Sequence, residues 1–503
     1  MARRILPIIP FAKWRPDAAV LLDQFSAIAK GCYPAPTGYR PFPILGTSAY
    51  LSALTARCQG AAAFISPSDQ SPAIVAGDAT KLYKNDGTTA ANASGATYTI
   101  DATEFWEFVD FGGMVIATNR NDPIQSATMG GTSLFAAAAT STLKPQARHI
   151  SVIGRQVHIG NTREGATDYP NRARWAGIDS AAVDFDVSQT TMADSQDLEG
   201  VGAIQKIVGG FSYGLYLCDE GIVRANFVGT PDIYTMDHLE PGRGCDAPGS
   251  VASWGTRVIF HDDEGFFMTD GLNSAPIGAE KVDTWFADNA DPEYLHNMSA
   301  TIDTKRHMYI LSFTSTAATT PDTLLFFHIP TQEWAYASLN LEFLFSSRTP
   351  GVSMDGNMDG TPYAGLDMES ITAVSMDASI WVRSLRYLAG FDTAHTMYRF
   401  DGTNMAAQID TKVFEPNPGR RARINDARVI VDGGTPTVAL AVRETLSDTE
   451  TFATAVAQNA NGIVPFDSSN AGRYAKARVT IPAASTWTHL EGVQPSVSPL
   501  GRW

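Results

Sequence analysis

A serine between two glycines is the first stretch whose residue types could carry chemistry. Gly210-Phe211-Ser212-Tyr213-Gly214 matches G-x-S-x-G, the nucleophile elbow of α/β-hydrolases. That motif works only on a sharp strand-to-helix turn that aims the serine hydroxyl at an oxyanion hole. The residues that follow, LYLCDEGIVRANF, have the pattern of a hairpin rather than a helix. The sequence therefore predicts a turn serine between two strands, and no serine nucleophile.

The stretch Asp355-Gly-Asn357-Met-Asp359-Gly360 reproduces the first half of a calcium-binding loop. Oxygen ligands stand at alternate positions, and a glycine allows the bend. The bidentate glutamate expected at the twelfth position is missing, because Leu366 stands there with Asp367 beside it. We interpret the stretch as a surface loop, and whether residues 355–360 bind a cation stays open.

The acidic turn Asp262-Asp263-Glu264 could supply carboxylates for glycoside hydrolysis, which needs an acid and a base on opposite sides of the sugar. Nothing in the sequence places a second carboxylate pair across from this turn. Adjacent carboxylates at a hairpin tip ordinarily keep an exposed turn soluble, and that is the interpretation here.

Histidines, tryptophans and cysteines are predicted to have structural roles. The histidines show neither HxxxH nor HxH spacing, so packing is favoured over metal ligation. Tryptophans that recur along the chain could stack on sugars, but wedges between neighbouring sheets bury the same area without a ligand. The four cysteines lack a CxxC pair and are predicted to be reduced core thiols. The residues concerned are His149, His158, His238, His261, His296, His307, His328, His395 and His489; Trp106, Trp175, Trp254, Trp285, Trp334 and Trp381; and Cys32, Cys58, Cys218 and Cys245.

The elements that would hold these residues are short strands joined by tight turns, seen most clearly in residues 250–271, SVASWGTRVIFHDDEGFFMTDG. Turns of Gly with Asp or Asn between β-rich runs are typical of hairpins. Related phrases recur, and their turn positions Gly112, Gly154, Gly210, Gly255 and Lys305 are separated by 42, 56, 45 and 50 residues. Four-stranded propeller blades repeat every 40–50 residues or so. The sequence therefore predicts a β-propeller of six or seven blades over residues 46–403, with a long loop near 340–380.

Segments of different composition and residue pattern flank the predicted propeller. Residues 1–45 carry seven prolines and are predicted to form an extended arm that lies on its own propeller or on a neighbour, with one short helix possible at Asp17–Lys30. Beyond residue 404, longer runs alternate apolar and polar residues, which predicts a C-terminal β-sandwich over 404–503. The complete prediction is an all-β chain with an arm, a propeller and a sandwich.

The formal net charge of −16 is unevenly distributed along the chain. Residues 404–503 hold 10 Lys and Arg against 9 Asp and Glu, so the whole negative excess lies in the first 403 residues. An acidic surface argues against gripping nucleic acid through its phosphates, which requires Lys and Arg. The sequence contains no apolar run of about 18 or more residues, the length that predicts a membrane-spanning helix.

The order of several phrases resembles the tail hub or nozzle proteins of short-tailed bacteriophages, which are related in architecture to the tail accessory factor called packaged-DNA stabilisation protein. The resemblance covers residues from about 30 to the end. It rests on phrase order rather than on a catalytic motif. The phrases are GYRPFPILGTSAY, GDATKLYKNDG, FGGMVIATN, RARWAGI, FVGTPDIYT, GFFMTDG with PIGAEKVD, and GRYAKARVTIPAASTWTHLEGV.

The resemblance implies a structural virion protein rather than an enzyme, without cofactor or metal. Its expected place is the virion tail, after assembly in the host cytoplasm, as a subunit of a homo-hexameric nozzle or hub ring below the portal. Such a ring would retain the packaged DNA, seat tailspikes or fibres, contact portal and adaptor proteins, and pass genomic DNA without sequence-specific binding or membrane insertion. Acidic side chains lining the channel would repel phosphates and let DNA slide.

The alternative function is a carbohydrate-binding or glycan-cleaving propeller on a surface, using exposed tryptophans and paired carboxylates. The sequence leaves open the tier of the tail, the blade count, and the partner that binds the host receptor.

Overall fold

The computed structural model describes residues 3–18, 25–47, 52–67, 72–85, 90–138, 142–180, 183–349, 385–467 and 469–500. The possible cation loop at 355–360, Trp381 and most of the long loop predicted near 340–380 lie outside these residues.

The N-terminal residues form short strands that associate with distant parts of the chain. Proline at many positions prevents helix formation, while short extended pairings remain possible. These strands are β1 (Arg4–Ile5), β2 (Ile9–Pro10), β3 (Lys13–Trp14), β4 (Phe25–Ser26), β5 (Ala29–Lys30), β6 (Cys32–Ala35) and β7 (Gly38–Pro41).

The helix considered for Asp17–Lys30 is wrong in the described part of that range. Residues 25–26 and 29–30 are strands, and β5 is hydrogen-bonded on both sides to other strands. The apolar spacing that suggested a helix reflects burial of alternate residues in sheets, because Ser26 and Ala29 are buried while Phe25 and Lys30 are only half-buried.

Six four-stranded antiparallel meanders, here called blades 1 to 6, follow one another in the described residues. Their strands are rich in Val, Ile, Phe and Tyr and end at Gly-containing or charged turns, as the repeated phrases predicted. Blade 1 comprises β8 (Ala61–Ile65), β9 (Pro72–Gly77), β10 (Leu82–Asn85) and β11 (Ala90–Asn92); blade 2, β12 (Glu107–Phe111), β13 (Met114–Thr118), β14 (Gln125–Thr128) and β15 (Ala136–Ala137); blade 3, β16 (Gln146–Ile153), β17 (Gln156–Glu164), β18 (Thr167–Trp175) and β19 (Asp194–Asp197); blade 4, β20 (Ile204–Val208), β21 (Tyr213–Cys218), β22 (Gly221–Gly229) and β23 (Ile233–Pro241); blade 5, β24 (Ala252–Trp254), β25 (Arg257–Asp262), β26 (Gly265–Thr269) and β27 (Ser274–Pro276); and blade 6, β28 (Ser299–Asp303), β29 (Met308–Phe313), β30 (Thr323–His328) and β31 (Glu333–Ser338).

A three-stranded sheet, here called the closing sheet, completes the ring of blades. It comprises β32 (Phe343–Arg348), β33 (Arg386–Phe391) and β34 (Met397–Arg399). Its first strand packs against the first strand of blade 6 on one side and of blade 1 on the other. First strands of neighbouring blades also pack together along most of the ring, so they are the innermost strands. This arrangement confirms the predicted all-β fold and β-propeller, with six complete blades and the closing sheet between the sixth and the first.

The hairpins predicted within residues 250–271 are present in blade 5. Trp254 pairs with Arg257 across the first turn, and Asp262 pairs with Gly265 across the second. An α-helix, α1 (Asp283–Asn289), and two 3₁₀ helices, Pro248–Ser250 and Pro292–Asn297, lie in the connections before blade 5 and between blades 5 and 6. Local turn chemistry was therefore sufficient to predict these strands.

The C-terminal residues form two sheets that enclose one core. One sheet has the order β39–β36–β42–β7–β6, with β1 and β2 on β42 and β40 on β36; the other contains β35, β41, β37 and β38 in that order. Ile424 and Val493 of the first sheet and Leu440 and Val479 of the second belong to the same buried cluster, so the two sheets pack as a sandwich to which the N-terminal strands also contribute. The strands are β35 (Ala407–Asp410), β36 (Ala422–Gly433), β37 (Thr437–Arg443), β38 (Val456–Ala457), β39 (Ile463–Pro465), β40 (Ala471–Gly472), β41 (Tyr474–Ile481) and β42 (Trp487–Pro499).

Strand β5 joins the sandwich to the propeller. It pairs in parallel with β31, the outermost strand of blade 6, through Lys30 and Tyr336, and antiparallel with β35 through Ala29 and Ile409. Blade 6, β5 and one sheet of the sandwich thereby form a continuous path of nine strands, and β3 and β4 bring this sheet to eleven strands in the described residues. The edge of blade 6 is thus covered rather than exposed to pairing with another chain.

Trp14 anchors the N-terminal strands beside this joint. Its side chain is fully buried, its ring lies 5.0 Å from Trp285 and 4.9 Å from Tyr336, and its indole N–H donates to the carbonyl of Ala27 at 3.1 Å. Glu333, at the start of β31, accepts from Lys13 at 2.7 Å. The predicted arm thus lies on its own propeller and sandwich.

Glycine at position 31 is a steric requirement of the joint. Its φ is +71°, and an added Cβ would overlap the backbone carbonyl of Ala406. We predict that Gly31→Ala lowers the free energy of unfolding by about 3 kcal/mol or more, because strain and overlap with backbone add together. Gly255→Ala is the matched control, since φ is +63° there and nothing lies within 4 Å of the added Cβ. The control should cost only about 1 kcal/mol. Equal losses for the two variants in denaturant unfolding would contradict the steric account.

Candidate functional site

Ser212 lies where the hairpin prediction placed it. Residues 209–212 connect β20 directly to β21, and Tyr213 begins the second strand. No helix follows the serine in this described stretch, so the geometry of a nucleophile elbow is absent there. Phe211, beside it, has 93 % of its side chain exposed.

The acidic turn of blade 5 contains one buried carboxyl and two exposed residues. Asp262 is buried and accepts the backbone N–H of Asp263 at 2.8 Å, whereas Asp263 and Glu264 lie at the exposed tip. Burial, followed by the interaction with Asp263, raises the pKa of Asp262 to about 6. The three residues lie at one hairpin tip, so they do not form the two-sided carboxylate pair that glycoside hydrolysis requires.

Several histidines are held by single polar partners. His158 lies 2.7 Å from the hydroxyl of Tyr216, and His261 lies 2.8 Å from Asp246. His395 lies 2.7 Å from Glu342, and His328 lies 2.7 Å from Thr331. Within the part of the chain that the structure describes, no group of three or more His, Cys, Asp or Glu is arranged to hold a metal ion.

The tryptophans and cysteines serve packing. Trp106, Trp175 and Trp334 are buried, while Trp254 and Trp285 are half-buried against the main core. All four cysteines lie in described residues, and each is a free, buried thiol. Both structural predictions are confirmed for these residues.

A cluster of charged side chains near the propeller axis was not found from the sequence. Glu107, at the start of the innermost strand of blade 2, is buried and contacts Lys206 of blade 4 at 2.7 Å and His149 of blade 3 at 3.0 Å. Its second carboxylate oxygen accepts the backbone N–H of Ile150 at 2.9 Å. One carboxylate therefore ties three consecutive blades together.

Electrostatics in this cluster favour the ionised carboxylate. Burial alone would raise the pKa of Glu107, but the charges and hydrogen bonds of Lys206 and His149 outweigh it and lower the pKa to about 2. Burial lowers the pKa of His149, although Glu107 opposes that shift. The Nε2 atom of His149 is buried without a hydrogen-bond partner.

Similar contacts join other innermost strands or the residues just before them. Both carboxylate oxygens of Glu104, before blade 2, accept from Arg148 of blade 3. Glu342, before the closing sheet, accepts the backbone N–H of Cys58, before blade 1, at 3.0 Å. The ring is thus closed near its axis by polar contacts between blades as well as by apolar packing.

An open cavity of about 100 Å³ lies among these groups. Its walls include Cys58, Glu107, Lys206, Pro248, Ser299 and Phe343, so residues from blades 2, 4 and 6, from the closing sheet and from the loops before blades 1 and 5 meet there. Arg57 also lines it, bonded to Asn297 and to the carbonyl of Ala102, and burial lowers the pKa of its guanidinium. Propellers enclose such a channel where their innermost strands converge.

Acidic side chains recur at one kind of turn along one edge of the propeller. Turns between the second and third strands all lie at one edge, here called the acidic face, and each of the seven in the described residues carries or adjoins an acidic side chain. Several of these carboxylates also stabilise their turns by accepting backbone N–H groups, as Asp392 does from Ala394 at 3.0 Å. Glu107 and Ser299, which line the axial cavity, begin first strands and therefore lie toward this face. The acidic residues are Asp78, Asp122, Glu164, Asp219, Asp263, Asp322 and Asp392.

Turns between the first and second strands lie at the opposite edge, here called the tip face. Among the described turns, at 112–113, 154–155, 209–212, 255–256 and 304–307, Arg155, Lys305 and Arg306 occur without an Asp or Glu, and Arg257 adjoins the fourth. Phe211 projects from this face. Arg155 and Arg306 are paired with Asp179 and Asp303, and the turns between the third and fourth strands add Asp232 and Asp270 at this edge, so the tip face carries both charges.

Comparison with solved structures returns β-propellers at low identity. BamB from Moraxella catarrhalis has 12 % sequence identity and a TM-score of 0.36, with 80 % of this chain and 98 % of that chain covered. The Pan2 WD40 domain of Neurospora crassa has 7 % identity and a TM-score of 0.37, covering 68 % and 88 %. The structure of BBS1N in complex with ARL6DN has 8 % identity and a TM-score of 0.39, covering 71 % and 96 %.

No protein-family model matches the chain, and no curated protein matches it. Among the described residues, no helix is long and apolar enough to cross a membrane.

Removing the Glu107 carboxylate should loosen the ring. We predict that Glu107→Gln lowers the free energy of unfolding by about 3 kcal/mol at pH 7, because Lys206 loses the buried charge that compensates it and His149 loses an ionised hydrogen-bond partner. The folded pKa lies below the ordinary value of 4.5, so this contribution should disappear as pH falls from about 4.5 towards about 2. Chemical denaturation at several pH values measures it, with exposed Glu264→Gln as control. A loss below about 1 kcal/mol at pH 7 would contradict the prediction.

The raised pKa of Asp262 predicts the opposite change. A carboxyl with a raised folded pKa contributes stability that is present below the ordinary value of 3.8 and is lost as pH rises through about 6. Asp262→Asn should therefore stabilise the protein by about 1 to 2 kcal/mol at pH 7.5 and give no gain at pH 4. Thermal unfolding at the two pH values tests this. A variant less stable than the parent at pH 7.5 would contradict burial of a costly charge.

Proposed function

We propose that the protein is a structural subunit of a sixfold nozzle or hub ring in the tail of a short-tailed bacteriophage. In this proposal the ring lies below the portal, retains packaged DNA, seats tailspikes or fibres, and conducts DNA at ejection. The proposal starts from the resemblance of the sequence to tail hub or nozzle proteins, which lies in the order of several short sequence stretches.

The observation that carries the proposal is the continuous sheet through blade 6, β5 and the sandwich. A tail subunit must transmit force between neighbours and against packaged DNA without its domains separating. Here the domains share backbone hydrogen bonds across β5, and buried Trp14 fastens the adjacent strands. Joint unfolding of the whole chain, rather than hinge motion between domains, is the mechanical behaviour expected of such a connection.

The charge distribution agrees with passage of DNA. A channel lined with acidic side chains repels phosphates, whereas each Lys or Arg contact with a phosphate would slow sliding. The acidic face supplies exposed carboxylates, among them Asp219, Glu220, Asp263 and Glu264. We propose that this face, or part of it, borders the channel in the assembled ring.

Electron microscopy of the purified full-length chain tests the proposal. We predict closed rings with sixfold symmetry and a central hole wide enough for a DNA duplex, about 20 Å or more across. Rings whose channel is lined by Lys and Arg would contradict the electrostatic part. Single chains at every concentration, or open filaments alone, would contradict the ring.

The second candidate is a carbohydrate-binding or glycan-cleaving propeller, and the axial cavity is the observation in its favour. Glu107 and Glu342 both line it, together with Phe105 and Trp106. The low pKa of Glu107 suits a nucleophile, but hydrolysis also needs a second carboxyl that stays protonated. Release of reducing sugar from host glycans that is lost in Glu107→Gln but kept in Glu264→Gln would favour this function. Neither release nor glycan binding is expected under the ring proposal.

A further inference from the structure

Three side chains of the sandwich place an amine between two carboxylates. Lys476 of β41 is 2 % exposed, and Asp410 of β35, the neighbouring strand, is fully buried. The Nζ atom of Lys476 lies 3.9 Å from Oδ2 of Asp410 and 3.2 Å from Oε2 of Glu450. This burial distinguishes Lys476 from the ion-paired Lys13 and Lys206, whose side chains are 59 % and 26 % exposed.

The group lies on the outer face of its sheet. Ala475 and Ala477, on either side of Lys476, belong to the core between the two sheets, and side chains alternate along a strand. Lys476 therefore points away from that core. The chain between β37 and β38 lies over this face, and the ring of its Phe452 is 3.9 Å from the guanidinium carbon of Arg478. The amine is thereby shielded from solvent.

Arg478 holds the Asp410 carboxylate in one orientation. Its Nε donates to Oδ1 at 2.7 Å, and its Nη2 donates to Oδ2 at 2.8 Å. These hydrogen bonds raise the pKa of Arg478, and the charge of Glu450 adds to the shift. The guanidinium therefore stays charged and can stabilise an oxyanion formed on the Asp410 side chain. Glu450 keeps an oxygen for proton transfer, because its Oε1 atom is buried and accepts no hydrogen bond from the described residues.

We propose that Lys476 and Asp410 condense to an intramolecular amide, with Glu450 as the proton carrier. Lys476 first gives one proton to Glu450, and the neutral Nζ forms a bond to Cγ of Asp410. The bond from Cγ to Oδ2 then breaks. Oδ2 takes one proton from Glu450 and a second from the amine, and it leaves as water. Oδ1 remains as the amide oxygen on Arg478. An ammonium and a carboxylate thus become an amide and one water, without any other reactant.

Condensation relieves the burial of two ions. Charges in a protein interior lose hydration, and their mutual attraction compensates only in part. The reaction removes one charge of each sign and leaves Arg478 and Glu450 as a balanced pair. The separation of 3.9 Å is that of the unreacted groups, and the flexible lysine side chain can close it by rotation. The bond would join β35 to β41 and, like a disulfide, constrain the unfolded chain.

The mass of the purified full-length chain, measured after denaturation, tests the proposal. We predict a mass lower by one water than the sequence requires, and a tryptic digest in which the peptide of Lys476 is joined to that of Asp410. Lys476→Arg keeps the charge but should restore the full mass. Lys13→Arg, the matched change at an exposed ion-paired lysine, should keep the loss of water.

Two further variants distinguish the reaction from a purely structural ion pair. Asp410→Asn should reach the same final mass as the parent, because its side-chain amide releases ammonia where the carboxylate releases water. Glu450→Gln should slow the reaction about tenfold or more, as followed by mass in chains newly made by cell-free synthesis. An unchanged rate in that variant would contradict the role of Glu450.

The parent chain alone can overturn the inference, so the result does not depend on whether any variant folds. A parent with the full sequence mass overturns it. Loss of water at an Asp-Gly pair such as Asp270-Gly271, with Lys476 unmodified and cleaved by trypsin, overturns it as well. The test is independent of the proposed ring, because single chains can carry the amide and rings can form without it.

Discussion

The insertion of β5 between β31 and β35 is the constraint on which the rest of the architecture depends. Two residues, Ala29 and Lys30, supply backbone groups to a propeller blade on one side and to the sandwich on the other. Gly31 follows with a positive φ, and a Cβ added there would overlap the carbonyl of Ala406. The N-terminal segment is thereby part of the folded body, and removing residues 1–30 would take away a structural strand rather than a free arm.

Polar contacts near the axis join the blades of the propeller to one another, as β5 joins the propeller to the sandwich. Glu107 reaches two further blades, and Glu342 links the closing sheet to the residue before blade 1. Buried ion pairs contribute little net stability compared with apolar side chains of similar volume, but removing one partner is costly. Their value here is geometric, since they fix which innermost strands are neighbours and leave the acidic face and the tip face at opposite edges of a rigid ring.

The fold could be predicted from the sequence wherever its signal was local. Turn residues such as Asp263 and Gly265 stand beside the strands that they connect, so the hairpins of blade 5 and the blade period were readable. The strand partners of Ala29 and Lys30 lie hundreds of residues away in the sequence, and no local pattern marks them. The sequence therefore predicted an extended arm and not a strand shared by propeller and sandwich. Glu107, His149 and Lys206 were missed for the same reason: each lies in an ordinary strand, and only ring closure brings them together. The G-x-S-x-G match drew attention to Ser212 and not to its exposed neighbour Phe211, because a motif search does not consider exposure.

Native-state hydrogen exchange of the full-length chain tests the central claim, that propeller, N-terminal strands and sandwich form one cooperative body. The amide of Gly31, which donates to Tyr336, reports on the joint, while the amides of Phe326 and Leu440 report on blade 6 and the sandwich. We predict that all three exchange only through global unfolding, with the same free energy and the same denaturant dependence. Exchange of Gly31 through a low-energy local opening, with the other two amides still protected, would show that the arm is a detachable segment and would contradict this account.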